Sequence, residues 1–170
     1  MLFRSKAIVA DCDILRDRFK DQEMVLAPRT IEGYAITSTK FFGSGFITAG
    51  NATEFLDPVF SSGVTFAMES GSTAAKLVCK KLKGEQIDFQ TEYVDYMMRG
   101  INTFRTYVTT WYNGDLHEIF FTPNPNPEIK KQICSVLAGY VWDETNPFVK
   151  KHDRAIRSLA AMLRMERTSA

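Results

Sequence analysis

The sequence predicts an α+β fold that is mostly helical and contains one β-hairpin. Apolar residues recur at intervals of three and four along most of the 170 residues, which places them on one face of an α-helix. The interval changes to two between Tyr34 and Thr39, the spacing of a half-buried strand. Two Asn-Pro pairs, at residues 126–127 and 146–147, indicate helix starts, because Asn caps a helix and Pro suits its first turn.

The first part of the chain is predicted to form one helix and then the hairpin. The helix runs from Ser5 to about Ala27 and is ended by Pro28, with an apolar face formed by Ile8, Cys12, Leu15 and Phe19. The hairpin consists of a strand at Tyr34–Thr39, a turn at Gly43-Ser44-Gly45 and a strand at Phe46–Ala49. These elements lead the chain to Gly50.

Four or five helices are predicted after the hairpin. The first follows Gly63 and ends near Leu82, with Gly84 suited to the turn behind it. Small residues fill its first half, which indicates close packing against another backbone. Its predicted apolar stripe is Val64, Ala67, Met68, Gly71, Ala75, Val78 and Leu82. Later helices are predicted from Asp88 to about Tyr112, from Asn126 to Gly139 and from Asn146 onward, with a short helix or turn at 116–121 and a frayed tail from Arg164. We divide the chain into residues 1–62 and 63–170 and treat them as one continuous unit.

Composition and charge exclude several classes of function. The chain is 45% hydrophobic and 24% charged, and its net charge of +1 gives no electrostatic basis for binding nucleic acid or an anionic membrane. Cys12, Cys79 and Cys134 are widely spaced and only two histidines are present, so neither a disulfide framework nor a metal site is predicted. Without a long apolar run or a signal peptide, the chain is expected to be cytoplasmic.

Residues 50–64, with the sequence GNATEFLDPVFSSGV, have the composition of a ligand-contact turn. A strand end leads through polar residues and the Asp57-Pro58 stop into a helix that begins at small residues. Gly63 has no Cβ to obstruct a ligand, and the first N–H groups of the helix face negative charge. The segment therefore indicates a site for a planar or anionic ligand, although Asp57-Pro58 and Ser61-Ser62-Gly63 are each also typical of a plain turn and cap.

The order of these residues closely resembles the second flavin-contact motif of FAD-dependent monooxygenases, in the form found in flavin-dependent (tryptophan halogenase-like) halogenases. The predicted order of elements from Ser5 to Phe148 is similar to that family as well. The resemblance implies the C-terminal part of a FAD/NAD(P)-binding flavoprotein fold. It also implies that the complete enzyme uses FAD and dioxygen on a small aromatic substrate, with halogenation and hydroxylation both open.

The resemblance further implies roles for single residues. Asn51 stands where the family usually has an aspartate that accepts hydrogen bonds from the ribityl chain, and its amide oxygen can also accept them. Pro58 shapes the turn at the flavin ring, and backbone at Ser62 and Gly63 would also hold a halide. The implied cofactor-binding set is Gly50, Asn51, Asp57, Pro58, Ser61, Ser62, Gly63 and Val64; the catalytic residues are unknown.

Other parts of such an enzyme are missing from this sequence. It contains no Gly-x-Gly-x-x-Gly after a strand, the pattern of the N-terminal Rossmann segment, where the halogenase lysine also lies. We therefore expect weak or absent FAD binding by this chain alone, and self-association through the apolar face between Val64 and Leu82. Three interpretations stay open: a truncated enzyme, a split-enzyme half that pairs with an N-terminal FAD-domain chain, and a catalytically inactive helical interaction module.

The remaining candidates have structural interpretations beside functional ones. His117 and His152 are each followed by an acidic residue, but adjacent helical residues point apart, so structural roles are predicted for both. Cys79 is predicted to lie on a buried stripe and to be inert. Six aromatic residues either line a substrate cavity, as the resemblance implies, or pack in the core, which is favoured: Tyr93, Tyr96, Phe104, Tyr107, Trp111 and Tyr112.

Overall fold

The computed structural model describes residues 2–23, 25–27, 29 and 32–169 and divides into two units, residues 1–34 and 35–170. The first unit contains helices α1 (Leu2–Asp11) and α2 (Asp13–Phe19). The second contains strands β1 (Ile36–Thr37), β2 (Phe42–Gly43), β3 (Phe46–Ile47) and β4 (Glu54–Phe55), and helices α3 (Gly63–Leu82), α4 (Tyr96–Tyr112), α5 (Asp115–Phe120), α6 (Pro127–Leu137), α7 (Pro147–Lys150) and α8 (His152–Ser169). The mostly helical character predicted from the sequence is confirmed, whereas the division at residue 62 and the missing Rossmann segment stay predictions.

The single helix predicted for the first unit is wrong in its continuity and its end. Cys12 has an extended backbone (φ −101°, ψ 111°), which separates α1 from α2, and α2 ends at Phe19 rather than near Ala27. The predicted apolar face is exposed, with 62% of Ile8 and 49% of Phe19 accessible to solvent. Helices of this length depend on packing for their stability, and this face has little of it. Pro28, the predicted stop, lies outside the described residues.

The strand pairing differs from the predicted hairpin. Strand β2 pairs with β3 across the Ser44-Gly45 turn, in the register Phe42 with Ile47. Strand β1, predicted to pair with this second strand, pairs instead with β4, in the register Ile36 with Phe55. Alternation predicts that a segment is extended, but it does not identify the partner strand. Strand β4 directly follows the turn at Gly50–Ala52, so the β1–β4 sheet lies beside the start of the candidate site.

The helix starts and stops predicted in the second unit are largely confirmed. Helix α3 has the predicted bounds, and Gly84 has the expected positive φ of 89°. The Asn126 side chain accepts hydrogen bonds from two α6 amides, at 3.0 and 3.2 Å, and Asn146 caps α7. The region predicted as one helix from Asp88 begins with a π-helical turn, Gln90–Asp95. The last helix is interrupted at Lys151, and its tail is helical to Ser169 rather than frayed.

Helix α4 lies at the centre of the core. Its residues Met97, Ile101 and Tyr107 are fully buried, and Phe104 meets Phe66 of α3 edge-to-face with ring centroids 5.4 Å apart. Gly100 makes room for Trp142, whose indole N–H donates to the Tyr96 carbonyl at 2.9 Å. This core holds α3, and with it the candidate site, in place. Among the described residues, no helix has the length and apolarity to cross a membrane.

Candidate functional site

The first half of the candidate site is a tight turn held against α3. Gly50 has a positive φ of 58°, and a Cβ at this position would lie 3.4 Å from the Ala67 Cβ. The Gly50 N–H donates to the Ser70 hydroxyl at 2.8 Å, and that hydroxyl donates to the Phe66 carbonyl within α3. The positive φ therefore favours glycine at residue 50, whereas an added Cβ would make only an ordinary contact with Ala67.

Two further buried side chains hold this turn, and sequence reasoning missed both. The Thr53 hydroxyl and amide both donate to the Gly50 carbonyl, at 2.6 and 2.9 Å, and Thr53 is 1% exposed. The Tyr93 hydroxyl donates to the Thr48 carbonyl, and burial raises the pKa of Tyr93 above its ordinary value. A hydroxyl side chain three residues after Gly50 is the sequence signal that could have revealed this bond.

Asn51 lies at the tip of the turn and is exposed. Its side chain forms no hydrogen bond to any described residue, whereas the amides of Gly50, Ala52 and Thr53 all donate within the chain. The predicted ribityl contact therefore depends on the Asn51 side chain, because most backbone amides of this turn are already used.

Asp57, Pro58 and Ser61 shape the second half of the site. The Asp57 carboxylate accepts from the Val59 amide at 3.0 Å, which caps a 3₁₀ turn with Pro58 in its first position. Ser61 closes the turn in a left-handed conformation (φ 54°), with its amide donating to the Pro58 carbonyl at 2.9 Å. These three residues therefore form a hydrogen-bonded turn that leads into α3, and their contact with a flavin stays a prediction.

The start of α3 is the open part of the site. The first bond of its backbone ladder runs from the Phe66 amide to the Ser62 carbonyl, at 3.1 Å. The amides of Gly63, Val64 and Thr65 precede that bond and donate to no described residue, and the Ser62 side chain forms no cap. A Cβ on Gly63 would meet nothing within 4 Å, and Val64 is 70% exposed. Of the predicted set, Asn51, Pro58, Ser61, Gly63 and Val64 are exposed, Gly50 and Asp57 are half-buried, and Ser62 is buried.

Helix α3 presents two apolar faces. One packs into the core through Phe66, Ser70, Ala74 and Leu77. The other is part of the stripe predicted from the sequence, and it is open: Val64 and Met68 are each 70% exposed, and Leu82 is 83% exposed. Cys79 is exposed beside it, so the prediction of a buried Cys79 is wrong. We call this open surface the α3 stripe; it comprises Val64, Ala67, Met68, Gly71, Ala75 and Leu82.

A buried ion pair lies behind the turn and was not anticipated from the sequence. Glu54, with 2% of its side chain exposed, accepts from Arg105 of α4 at 2.9 Å and from the Thr37 hydroxyl at 3.1 Å. Its second carboxylate oxygen is buried and has no partner among the described residues. The pair connects β4, β1 and α4 directly after the turn at Gly50.

The aromatic candidates separate into core and surface. Tyr93, Phe104 and Tyr107 are fully buried, and burial raises the pKa of Tyr107, so the core interpretation holds for these three. Tyr96 is partly buried, and burial together with its bond to Glu69 raises its pKa to about 12. Trp111 instead packs in a partly exposed group of rings that includes Phe60, which lies in the 3₁₀ turn of the candidate site. We call this group the aromatic cluster; it comprises Phe60, Trp111, His117, Phe120 and Phe121.

Neither histidine pairs with the acidic residue beside it. The His117 ring lies 4.1 Å from the Trp111 ring, while Glu118 pairs with Arg167 at 3.0 Å. His152 is half-buried, and burial lowers its pKa below the ordinary value, an effect opposed by Asp153. No group of three or more metal-ligating side chains occurs within the described ranges.

A solved flavoprotein/dehydrogenase from Cytophaga hutchinsonii has the same fold and a related sequence. It is 54% identical, with a TM-score of 0.88 over 96% of this chain and 40% of the Cytophaga chain. At this identity the likeness extends beyond the fold. The chain thus spans less than half of the solved protein.

Several curated relatives are halogenases, among them the flavin-dependent halogenase armH1 of Armillaria mellea, which is 35% identical over 68 residues, 36% of this chain and 13% of the relative. The 1H-pyrrole-2-carbonyl-[peptidyl-carrier protein] brominase of Pseudoalteromonas luteoviolacea is 28% identical over 142 residues, which are 76% of this chain and 32% of the relative. The corresponding chlorinase of Pseudomonas fluorescens is 27% identical over 130 residues, 75% of this chain and 28% of the relative. The sulochrin halogenase of Aspergillus terreus is 33% identical over 70 residues, 41% of this chain and 13% of the relative.

These matches agree with the inference drawn from residues 50–64. No protein-family model matches the chain. The chain spans about a third of the length of the two pyrrole-carrier halogenases. The resemblance read from the motif is confirmed: this chain is a homologue of flavin-dependent halogenases and of a solved flavoprotein, and it corresponds to part of each.

Proposed function

We propose that this chain supplies the flavin-edge contacts and part of the substrate cavity of a FAD-dependent, halogenase-like oxidoreductase. The observation that carries the proposal is the open start of α3, where the amides of residues 63–65 precede the helix ladder and nothing lies within 4 Å of a Cβ on Gly63. Unpaired amides at a helix start stabilise nearby negative charge, such as that of a reduced flavin.

The residues of the candidate site fit a flavin in two ways. Asn51 would donate to or accept from ribityl hydroxyls, because its side chain is exposed and unpaired among the described residues. Backbone at Ser62, Gly63 and Val64 would face the flavin edge, and Ser62 and Gly63 would also hold a halide. Gly50, Asp57, Pro58 and Ser61 would act by shaping the turn that presents them. When bound, FAD would supply the oxidation chemistry with dioxygen.

The rest of the flavoprotein would pack on the α3 stripe. Met68 is 70% exposed and a Cβ on Gly71 would meet nothing, so another backbone has room to approach closely. The solved relative has the additional length to provide such a segment, since this chain corresponds to 40% of it. That segment would be FAD-binding and would belong either to the same polypeptide or to a separate partner chain.

The substrate would be a small aromatic compound. The names of two relatives specify a pyrrole-2-carbonyl group on a peptidyl-carrier protein, and that of a third specifies sulochrin. Halogenation and hydroxylation are the two reactions proposed.

The location proposed for the protein is the cytoplasm. All three cysteine thiols of the chain are exposed and free, which suits the reducing conditions there.

A chimera tests the flavin assignment. We expect the Cytophaga protein, with its matching part replaced by this chain, to purify with bound flavin and visible flavin absorbance. Gly63→Val should weaken flavin binding about tenfold or more, because a side chain that clashes typically costs about 1–3 kcal/mol. The substitution should not disturb the fold, since no atom lies within 4 Å of the added Cβ. Flavin retained per protein, with a titration of the apoprotein, measures the effect.

Ser72→Val is the matched control for this substitution. Ser72 is exposed on the same helix, about 180° around from Gly63 at 100° per residue. It should leave flavin binding unchanged. A colourless chimera beside a yellow parent protein would refute the proposal, and equal binding by the Gly63→Val chimera would refute the assignment to the start of α3.

The alternative function is a helical interaction module, which the α3 stripe also favours. The isolated chain should self-associate through this stripe, because a large apolar face is exposed. Met68→Lys should shift the chain toward monomer in light scattering, whereas Lys80→Glu, at an exposed position about 120° around α3 from Met68, should not. A wild-type chain that stays monomeric across the concentration range would contradict the interaction-module function. It would also contradict the proposal that another segment packs on the α3 stripe.

A further inference from the structure

The two contacts proposed for the flavin come from two different elements. Asn51 lies in the turn at Gly50–Ala52, whereas the open amides of residues 63–65 lie at the start of α3. A ligand that bonds to both elements at once needs them at a fixed separation, because hydrogen bonds weaken steeply when their distance and angle change. The contact that joins the turn to α3 therefore controls whether Asn51 and these amides can act on one molecule.

Ser70 makes that contact. Its hydroxyl accepts from the Gly50 N–H at 2.8 Å, and the residue is fully buried. The same hydroxyl donates to the Phe66 carbonyl of α3, with the Ala67 carbonyl 3.3 Å away. Because these bonds within the helix fix the orientation of the Ser70 side chain, its oxygen is held ready to accept from the residue before Asn51.

Ser70 also lies on the side of α3 that carries Gly63. It follows Gly63 by seven residues, about two turns and about 10 Å of helix, which brings it to nearly the same angle around the helix axis. The bond from Gly50 to Ser70 therefore fixes the position of the turn along the side of the helix on which the open amides begin.

The turn has other bonds that do not involve Ser70. The Thr53 hydroxyl and amide both donate to the Gly50 carbonyl, and the Tyr93 hydroxyl donates to the Thr48 carbonyl. Loss of the Ser70 hydroxyl should therefore leave the turn folded and release it from α3 at one point. The expected consequence is a displacement of Asn51 relative to the start of α3.

We propose that Ser70 is a positioning residue for flavin binding, which holds Gly50 so that the Asn51 side chain and the amides of residues 63–65 reach one flavin. This inference rests on the proposed function, and it assigns a role to a buried residue outside the flavin-contact motif. Ser70 acts through Gly50 and Asn51 rather than by touching the flavin. Its contribution to binding should disappear when residue 51 has no side chain to position.

A double-mutant cycle on the chimera tests the proposal. FAD is titrated into the apoprotein of the parent chimera, of Asn51→Ala, of Ser70→Ala and of the double variant. We expect each single substitution to weaken FAD binding about threefold to tenfold, the usual effect of one hydrogen bond. The double variant should bind FAD as Asn51→Ala does. A purely structural effect of Ser70 would instead add to that of Asn51→Ala.

Amide hydrogen exchange of the isolated chain tests the same bond without any flavin. Ser70→Ala should speed the exchange of the Gly50 amide about tenfold or more, because it removes the acceptor. Ser70→Cys replaces the hydroxyl with a weaker acceptor and should have a smaller effect in both experiments.

Thr103→Val is the matched control. Thr103 is also buried, at 2% exposed, but its hydroxyl donates within α4, to the Arg99 carbonyl at 3.0 Å. Its loss should change neither FAD binding nor the exchange of the Gly50 amide.

Three results would overturn the proposal: unchanged FAD binding by Ser70→Ala, a loss that adds to that of Asn51→Ala, or wild-type exchange of the Gly50 amide in Ser70→Ala. A parent chimera without flavin would instead refute the proposed function, and the exchange rates would still show whether Ser70 holds the turn. Failure of the cycle in a flavin-bound chimera leaves the proposed function standing.

Discussion

Gly100→Ala should destabilise the protein by about 2 kcal/mol, although alanine is the better helix former. A Cβ at residue 100 would lie 2.5 Å from two ring atoms of Trp142. The ring cannot easily move, because its N–H donates to the Tyr96 carbonyl at 2.9 Å and its face stacks on the Tyr96 ring at 5.3 Å. Overpacking of a core costs about 1–3 kcal/mol, and the better helix propensity of alanine offsets about 1 kcal/mol at most.

Gly71→Ala is the matched control for this prediction. Gly71 also lies inside a long helix, but nothing is found within 4 Å of its added Cβ. It should therefore stabilise the isolated chain by about 0.5–1 kcal/mol, the usual gain from replacing a helical glycine. Urea unfolding followed by circular dichroism measures both values. If both variants shift in the same direction, Trp142 does not pack against Gly100 as described.

Arg105→Ala should destabilise the protein by about 3 kcal/mol, because it leaves Glu54 buried without its cation. The Glu54 side chain is 2% exposed and that of Arg105 is 36% exposed, with 2.9 Å between their nearest atoms. The remaining exposure of Arg105 places the expected loss at the lower end of the range for buried pairs. Replacing both residues, Glu54→Met with Arg105→Met, should recover most of the stability, since no buried charge then remains.

Arg157→Ala provides the comparison for a surface ion pair. Arg157 pairs with Asp153 at 2.8 Å, but their side chains are 67% and 51% exposed. Its loss should cost about 0.5 kcal/mol or less. Denaturation midpoints of the three variants and wild type measure the difference. Equal losses for Arg105→Ala and Arg157→Ala would show that Glu54 is not held in a buried pair.

Much of α3 could be predicted because its signals are local. Gly63 and Gly84 mark its ends, and the three- and four-residue spacing identified the stripe that is exposed in the structure. The order of residues 50–64 likewise identified the relatives. The hydrogen bonds within the motif could not be predicted from the sequence, because those of Gly50, Asp57 and Ser61 depend on how the turn folds on itself and against α3. Thr53 and Ser70 look like ordinary small residues until the turn is folded against the helix.

The sequence by itself determined the helix starts, the open amides at Gly63 and the family resemblance, because each depends on atoms within a few residues of one another. Only the tertiary structure decided that β1 pairs with β4, that Glu54 meets Arg105, 51 residues away, and that Trp111 joins Phe60. Those contacts join segments that are distant in the chain. Their partners are selected by packing around α4, which no local spacing of residues encodes.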